Sequence, residues 1–154
     1  LRALAEPIAA GIKCVIAGEG AELERLITLR SHLELEHRVQ LVGRLDDTGL
    51  IQHLARCRAV VFPPLNEDYG FVTVEAFMCG KPVITCHDSG GPSELVRDGE
   101  SGFVTAPTPE ALAAAMRRIM DDRNGAMRMG EAGQRHAAAM TWPDAIEKLL
   151  LPAR

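Results

Sequence analysis

Short apolar runs alternate with longer amphipathic stretches along the whole chain. The apolar runs are continuous, which is typical of strands buried on both faces of a parallel sheet. In the stretches between them, apolar residues recur at helical spacing, which predicts helices. The predicted strands are 13–17, 39–42, 59–62, 82–86 and 103–104, and the predicted helices are 1–12 with a break at Pro7, 23–33, 48–56 capped by Thr48, 70–79, 93–96, 108–122 capped by Thr108, 126–140, and a last helix after Trp142-Pro143 that ends near Leu151.

Strands that alternate with helices predict an α/β fold. We expect a Rossmann-like parallel sheet with helices on both faces, formed by one domain over residues 1–154. Ligands of such sheets bind beyond the carboxyl ends of the strands. Arg44, Glu67 and two glycine turns, Gly18–Gly20 and Ser89–Gly91, all follow predicted strands. We therefore expect these positions to line one crevice.

The composition excludes several classes of protein. Hydrophobic residues make up 47% and charged residues 25%, as in ordinary globular domains, and the net charge of -4 argues against a nucleic-acid partner. The sequence has neither an apolar run of about 18 residues nor a signal-peptide pattern. The four cysteines lack CxxC spacing, and no His/Cys cluster has metal-ligand spacing. This pattern favours reduced thiols in a cytoplasmic protein and no metal site.

The stretch from Phe62 to Gly80 carries the most informative chemistry. It combines an apolar strand, a polar loop with Glu67, and an apolar helix that opens at Gly70 and contains Glu75. A helix start offers unpaired N–H groups and the positive end of the helix dipole, which favour an anion. With a hydroxyl-binding carboxylate on either side, the stretch suits a sugar joined to a nucleoside diphosphate. The alternative is two solvated acids, but Glu75 has apolar neighbours, among which a carboxylate is costly unless something satisfies it.

Three other features admit both a binding role and a structural role. Gly18 and Gly20 lack the third glycine of a dinucleotide fingerprint, because Leu23 stands there, so a tight turn beside the crevice is favoured over an NAD site. The loop Ser89–Gly91 either donates N–H groups to a phosphate or only lets the chain turn. Arg44 either reaches a phosphate or a base, or is a surface arginine.

Three blocks of sequence, taken in order, resemble a known family. They read IAGEGAELERL, RVQLVGRLDD and LARCRAVVFPPLNEDYGFVTVEAFMCGKPVITCHDSGGPSELVRDGESGFV. Together they resemble the C-terminal, donor-binding domain of retaining glycosyltransferases with the two-domain GT-B fold (family 4, or group 1), over residues 12–142. The most specific element is an E-x7-E motif, here Glu67 and Glu75, with Tyr69, Gly70 and Phe71 between them.

The resemblance implies a role for each matching position. Glu67 is the implied catalytic residue, since it would contact hydroxyls of the donor sugar and shape the reaction centre. The N–H groups of Tyr69, Gly70 and Phe71 would hold the diphosphate, and Glu75 would accept hydrogen bonds from the ribose. The other implied donor-binding positions form two sets. Gly18 and Gly20 would lie at the floor of the cleft, and Gly43, Arg44 and Leu45 would lie along the base.

The resemblance also implies partners. The donor would be a UDP-, GDP- or ADP-sugar, bound as a substrate without a cofactor and, in most members, without a metal. The acceptor, a sugar, a lipid or a small molecule, would bind to an N-terminal domain absent from this chain. Contact with a membrane surface is expected only through that missing part. The Arg and Lys with which the family clamps the diphosphate are also missing, and Arg2 is not assigned their role. We therefore expect a fragment that binds the donor weakly and has no turnover.

Two other interpretations remain open. One is a nucleotide-sugar epimerase or a phosphorylase on the same fold. The spacing of the two glutamates favours the transferase, and Lys81, between Gly80 and Pro82, is a poor candidate for the cofactor-bearing lysine of a phosphorylase. The other is a non-catalytic domain kept for assembly or partner binding, which predicts no nucleotide binding.

Overall fold

A computed structural model of the chain describes residues 1–140, and its elements follow the predicted order. The predicted break at Trp142-Pro143 and the last helix lie outside the described residues. Within this range no helix has both the length and the apolar character that a bilayer crossing requires. The strands are β1 (Cys14–Ala17), β2 (Val39–Gly43), β3 (Val60–Val61), β4 (Val83–Cys86) and β5 (Gly102–Thr105), and the helices are α1 (Arg2–Ala5), α2 (Leu23–His32), α3 (Asp47–Arg56), α4 (Phe71–Met78), α5 (Gly91–Leu95), α6 (Pro109–Asp121) and α7 (Arg123–Ala138).

Local sequence signals determine two of the helix boundaries as predicted. The break at Pro7 is confirmed, because α1 ends at Ala5 and a 3-10 turn begins at Pro7. Proline fits the first position of a turn, where its missing N–H has no intrahelical partner. Thr108 caps α6 as predicted, since its hydroxyl oxygen accepts the N–H of Ala111 at 3.3 Å.

Two helix starts differ from the prediction because an aspartate acts as the cap. Oδ1 of Asp46 accepts the N–H of Gly49 at 2.8 Å, so the predicted cap Thr48 is wrong and lies inside α3. In the same way, Oδ1 of Asp122 accepts the N–H of Gly125 at 2.8 Å, and α7 begins three residues earlier than predicted. A carboxylate that satisfies a free N–H of the first turn extends the helix toward its amino end.

All strand pairs are parallel, which confirms an α/β class with parallel strands. Hydrogen bonding divides the strands into two sheets, β1–β2 and β3–β4–β5. β4 is buried along its whole length, as its continuous apolar run predicts. β1 and β3 instead lie at sheet edges, where Val15 and Val61 are 41% and 36% exposed. The N–H groups of Val60 and Phe62 donate to the carbonyls of Pro82 and Ile84. The N–H group of Val61 therefore points to the opposite edge, which no other strand of residues 1–140 covers.

Helix α6 joins the two sheets into one core. Leu112 and Met116 pack against the apolar cluster that contains Val39 of β2, and also against the cluster that contains Ile84 and Phe103. α6 further contacts α1, the 3-10 turn and α7. Residues 1–140 therefore form one packed unit, although their strands do not form one sheet.

Helix α7 packs closely against α4, the helix of the predicted site. A Cβ at Gly133 would lie 2.7 Å from Cε1 of Phe77, and a Cβ at Gly130 would overlap the carbonyl oxygen of Gly80. Phe77 itself is fully buried. This contact fixes α4 on one face and leaves its other face exposed.

One arginine ties the amino-terminal turns to the β1–β2 sheet. The guanidinium of Arg38, just before β2, donates to the carbonyl oxygens of Ala9 at 2.9 Å and Ile12 at 3.3 Å, and also to that of Leu4. These carbonyls lie at or beyond the carboxyl ends of α1 and the 3-10 turn. A cation is favourable there, because the carboxyl end of a helix carries the negative pole of its dipole.

We expect Arg38→Met to lower the free energy of unfolding by about 2 kcal/mol, because the carbonyls lose a charged donor while the apolar stem is kept. Urea denaturation measures the change. Arg25→Met is the control, since Arg25 makes an exposed ion pair with Glu22, and such pairs contribute about 0–1 kcal/mol. Equal stability of Arg38→Met and the wild type would show that these hydrogen bonds do not hold the turns in place.

Candidate functional site

The carboxyl ends of β3 and β4 lie side by side and bring two loops together. Parallel pairing continues beyond the strands, because Asn66 N–H donates to the Asp88 carbonyl at 3.0 Å and Glu67 N–H to the Ser89 carbonyl at 3.1 Å. Residues 62–70, the Glu67 loop, therefore lie along residues 87–91, the glycine loop. Both loops stand at the edge of the sheet where ligands of α/β folds bind.

The start of α4 presents backbone donors without partners. Gly70, the residue before α4, has a left-handed backbone conformation with φ +80°, and no side chain of the described part of the chain caps the helix. Thr73 N–H donates to the Gly70 carbonyl at 2.8 Å, whereas the N–H groups of Tyr69, Gly70 and Phe71 have no acceptor within residues 1–140. Free N–H groups at the positive end of a helix favour an anion.

Glu75 lies on the exposed face of α4, together with Phe71 and Met78. Its sequence neighbours Ala76 and Phe77 point into the core and are fully buried. Helical periodicity therefore turns the Glu75 carboxylate away from its apolar neighbours, so the cost expected from placing it among them is wrong. Phe71 is four residues earlier, so Glu75 stands about one turn along the same face from the free N–H groups.

The carboxylate of Glu67 is exposed, and the protein holds this residue through its backbone. Its carbonyl accepts the N–H of Gly91 at 2.8 Å, in addition to the bond that its N–H makes. No hydrogen bond or ion pair engages the carboxylate within the part of the chain that the structure describes. It is therefore available to accept hydrogen bonds from a ligand.

The glycine loop uses most of its hydrogen-bonding groups within the protein. Gly91 N–H donates to Glu67, and the Ser89 carbonyl accepts from the same residue. Ser93 donates to the Gly90 carbonyl from both its N–H, at 2.8 Å, and its hydroxyl, at 2.7 Å. Of the two roles left open by the sequence, the structure favours the structural one, since few N–H groups of this loop remain for a phosphate.

A second group of predicted positions follows β1 and β2. Gly18 N–H donates to the Gly43 carbonyl at 2.8 Å, and the Arg44 guanidinium pairs with the Glu19 carboxylate at 3.0 Å. A concavity of about 160 Å³ is lined by Gly18, Glu19, Gly20 and apolar side chains of β1, β2 and α2. Glu19 is not among the predicted site residues, although an acid between two glycines, with an arginine predicted in the same crevice, was an available signal.

The predicted site residues thus fall into two groups that follow strands of different sheets. Glu67, Glu75 and the residues between them follow β3, whereas the Arg44 group follows β1 and β2 and ends at the half-buried Leu45. The rings of Tyr69 and Phe71 contact each other with centroids 4.9 Å apart. α6 packs against both sheets and so holds the two groups in one packed unit.

Metal and thiol chemistry find little support in the described residues. Among residues 1–140 no group of three or more His, Cys, Asp or Glu side chains is placed to hold a metal ion. The four cysteines are free thiols, and burial raises the pKa of Cys14, Cys57 and Cys86, which lowers their nucleophilic thiolate fraction. Lys81, the lysine considered for a phosphorylase cofactor, donates its Nζ to the Ala55 carbonyl at 3.0 Å.

Comparison with known proteins gives a consistent result. The family model of the glycosyl transferases group 1 matches residues 1–136. A glycogen synthase of Mycobacterium tuberculosis is 37% identical over 134 residues, which cover 86% of this chain and 32% of that protein. A D-inositol 3-phosphate glycosyltransferase of Corynebacterium diphtheriae is 34% identical over 134 residues, which cover 86% of this chain and 31% of that protein.

Solved structures extend the comparison to the fold. The crystal structure of Anabaena Alr3699/HepE in complex with UDP-glucose matches with a TM-score of 0.79 at 29% sequence identity. The match covers 96% of this chain and 41% of that chain. This chain thus spans about a third of the length of the curated relatives that it matches.

Proposed function

This chain belongs to the group 1 glycosyl transferases, and we propose that it is the domain of such an enzyme that binds a UDP-sugar donor. The observation that carries the proposal is the start of α4, where three N–H groups without an acceptor among residues 1–140 stand between two exposed carboxylates, Glu67 and Glu75. A similar protein, 29% identical, has been crystallised with UDP and with UDP-glucose, which supports UDP over GDP or ADP. The activity of the whole enzyme belongs to the proposal, because this chain spans only part of its relatives.

The start of α4 holds the donor diphosphate in this proposal. The phosphate oxygens carry negative charge, and the N–H groups of Tyr69, Gly70 and Phe71 meet them at the positive end of the helix dipole. Arg2 has no part in this contact, because it lines a surface concavity with Arg25 and other residues of α2. Further positive charge for the diphosphate comes from parts of the enzyme outside this chain.

Glu75 binds the ribose. It stands about one helical turn, roughly 5 Å, from the free N–H groups on the same face of α4, which is within reach of a nucleoside held by its diphosphate. Its two carboxylate oxygens can accept hydrogen bonds but cannot donate them. This suits the two adjacent hydroxyl groups of a ribose, which can both donate. The base then lies against the second group, Gly43 to Leu45 with the Gly18–Gly20 turn at the cleft floor.

Glu67 acts on the sugar, on the other side of the diphosphate. In retaining transfer the bond from the anomeric carbon to the UDP oxygen breaks, and the acceptor oxygen bonds to the same face of that carbon. The acceptor proton passes to the leaving phosphate oxygen, whose developing charge the N–H groups of α4 stabilise. Glu67 accepts hydrogen bonds from sugar hydroxyls and thereby orients the anomeric carbon.

The rest of the enzyme supplies an acceptor-binding domain and completes the sheet. Among residues 1–140, β1 and β3 each have an unpaired edge and an exposed valine, and a further parallel strand pairs with such an edge and covers it. This chain alone therefore binds the donor weakly and does not turn it over. The free thiols fit a reducing compartment, so we place the enzyme in the cytoplasm, with any membrane contact made by the part outside this chain.

Thermal denaturation of the full-length enzyme with UDP, GDP or ADP tests donor binding. UDP at 100 times its dissociation constant adds about 2.7 kcal/mol, and in an enzyme about three times as long as this chain this should raise Tm by roughly 3 °C. We expect Glu75→Ala to lose most of this rise and Glu131→Ala, which removes an exposed helical carboxylate on α7, to keep it. The absence of a rise with any nucleotide would contradict donor binding, and an unchanged rise in Glu75→Ala would remove its role.

Release of UDP from UDP-glucose tests the role of Glu67. We expect Glu67→Gln to lower kcat by about 100-fold or more, since an interaction that orients the reacting sugar acts mainly in the transition state. The Kd for UDP, measured by calorimetry, should stay within about threefold, because UDP lacks the sugar. Asp68→Asn is the control, as the adjacent exposed acid. Normal turnover in Glu67→Gln would refute the assignment.

A further inference from the structure

The Glu67 loop is held against the glycine loop through backbone atoms. Glu67 N–H donates to the Ser89 carbonyl at 3.1 Å, and its carbonyl accepts from Gly91 N–H at 2.8 Å. Glu67 and Gly90 thereby form a parallel β-bridge that continues the pairing of β3 with β4. We infer that Gly90 and Gly91 are positioning residues that set the place of Glu67 in the donor site, an inference that rests on the proposed function.

No side chain fits between the two loops. A Cβ at Gly90 would overlap the carbonyl oxygen of Glu67, and a Cβ at Gly91 would lie 2.6 Å from the carbonyl oxygen of Tyr69. Both contacts are with backbone atoms, which cannot rotate away as the end of a side chain can. Gly90 also has φ +70°, in the left-handed region that favours glycine. A larger residue at either position must displace one of the two loops.

The glycine loop is the better anchored of the two. It follows β4, which is buried along its length. The hydroxyl of the buried Ser89 accepts the N–H of Cys86 at 3.2 Å, and the hydroxyl of Ser93 donates to the Gly90 carbonyl at 2.7 Å. These bonds tie the loop to the sheet on one side and to α5 on the other.

The Glu67 loop has fewer contacts of its own. Leu65 is 73% exposed, Asn66 has a left-handed backbone with φ +50°, and the Glu67 side chain is exposed. A steric conflict at Gly90 is therefore expected to move Glu67 and to leave the glycine loop in place.

A shift of Glu67 affects the chemistry more than nucleotide binding. Glu67 contacts the donor sugar in the proposed function, whereas the nucleotide is held by the start of α4 and by Glu75. A displacement of about 1 Å from the productive position can lower a rate by on the order of 100-fold. A merely structural role for Gly90 would instead lower stability and leave the kcat of the folded protein unchanged.

The test compares Gly90→Ala with Gly99→Ala in the full-length enzyme. Gly99 has a similar left-handed backbone, φ +74°, but a Cβ there meets no atom within 4 Å. We expect both variants to lose thermal stability because of the left-handed backbone, Gly90→Ala more than Gly99→Ala because of the added overlap, and both to keep a Kd for UDP within about threefold of the wild type. Only Gly90→Ala is expected to lose at least about tenfold in kcat for UDP release from UDP-glucose. A folded Gly90→Ala enzyme with wild-type kcat overturns the inference.

Hydrogen exchange of the Glu67 amide in this chain measures the contact without reference to activity. We expect the exchange rate to rise at least about tenfold in Gly90→Ala and to stay unchanged in Gly99→Ala. Unchanged exchange in Gly90→Ala overturns the positioning role even where UDP binds. Absence of UDP binding by the wild-type enzyme instead overturns the proposed function, and the donor-site role of Gly90 with it.

If Gly90→Ala does not fold, Ser93→Ala takes its place. This change removes the hydroxyl that holds the Gly90 carbonyl and introduces no steric conflict. We expect kcat to fall about threefold at an unchanged Kd for UDP, and Ser93→Thr, which keeps a hydroxyl, to restore it. A Ser93→Ala enzyme with wild-type kcat overturns the inference.

Discussion

The parallel pairing of β3 with β4 is the contact on which the candidate site depends. It begins where Val60 N–H donates to the Pro82 carbonyl and continues past both strands to the bond between Gly91 and Glu67. No backbone hydrogen bond joins residues 63–65 to the β4 side, but Glu67 pairs with Gly90 in the same register as Val60 with Val83. The two loops therefore leave the sheet in register, and Glu67 stands shortly before the start of α4. The Glu67 carboxylate, which acts on the sugar in the proposed function, is thus carried by an extension of the sheet, which is a more precise support than an isolated loop.

Two helices determine where the other parts of the site stand. α7 packs on the buried face of α4 at Phe77 and leaves Glu75 on the exposed face. α6 packs against both sheets and so fixes the Arg44 group relative to the Glu67 group. A donor that consists of base, ribose, diphosphate and sugar needs binding groups at fixed separations. In the proposed function neither sheet supplies all of these groups, so the packing of α6 is as necessary for the site as any residue that contacts the ligand.

Local signals in the sequence predicted much of this fold. One error in the prediction arises from a neighbouring residue, and another from the pairing of strands that are distant in the sequence. Pro7 and Thr108 end and begin their elements as expected, because their effects act on adjacent backbone groups. Thr48 was wrong because Asp46, two residues earlier, caps the same first turn. The division into two sheets could not be predicted, since the apolar run around Val15 has the same pattern whether its outer edge is paired or free.

The sequence by itself determined the order of strands and helices, the helix start between Glu67 and Glu75, and the resemblance to a family. Periodicity, caps and motif spacing are relations between neighbouring residues, and a sequence displays them directly. Only the tertiary structure decided that the Glu75 carboxylate is exposed, that Arg44 pairs with Glu19, and that the glycine loop supports the Glu67 loop. Solvent exposure and contacts between distant residues are properties of the packed chain, and they arise only once β3, β4, α6 and α7 have packed together.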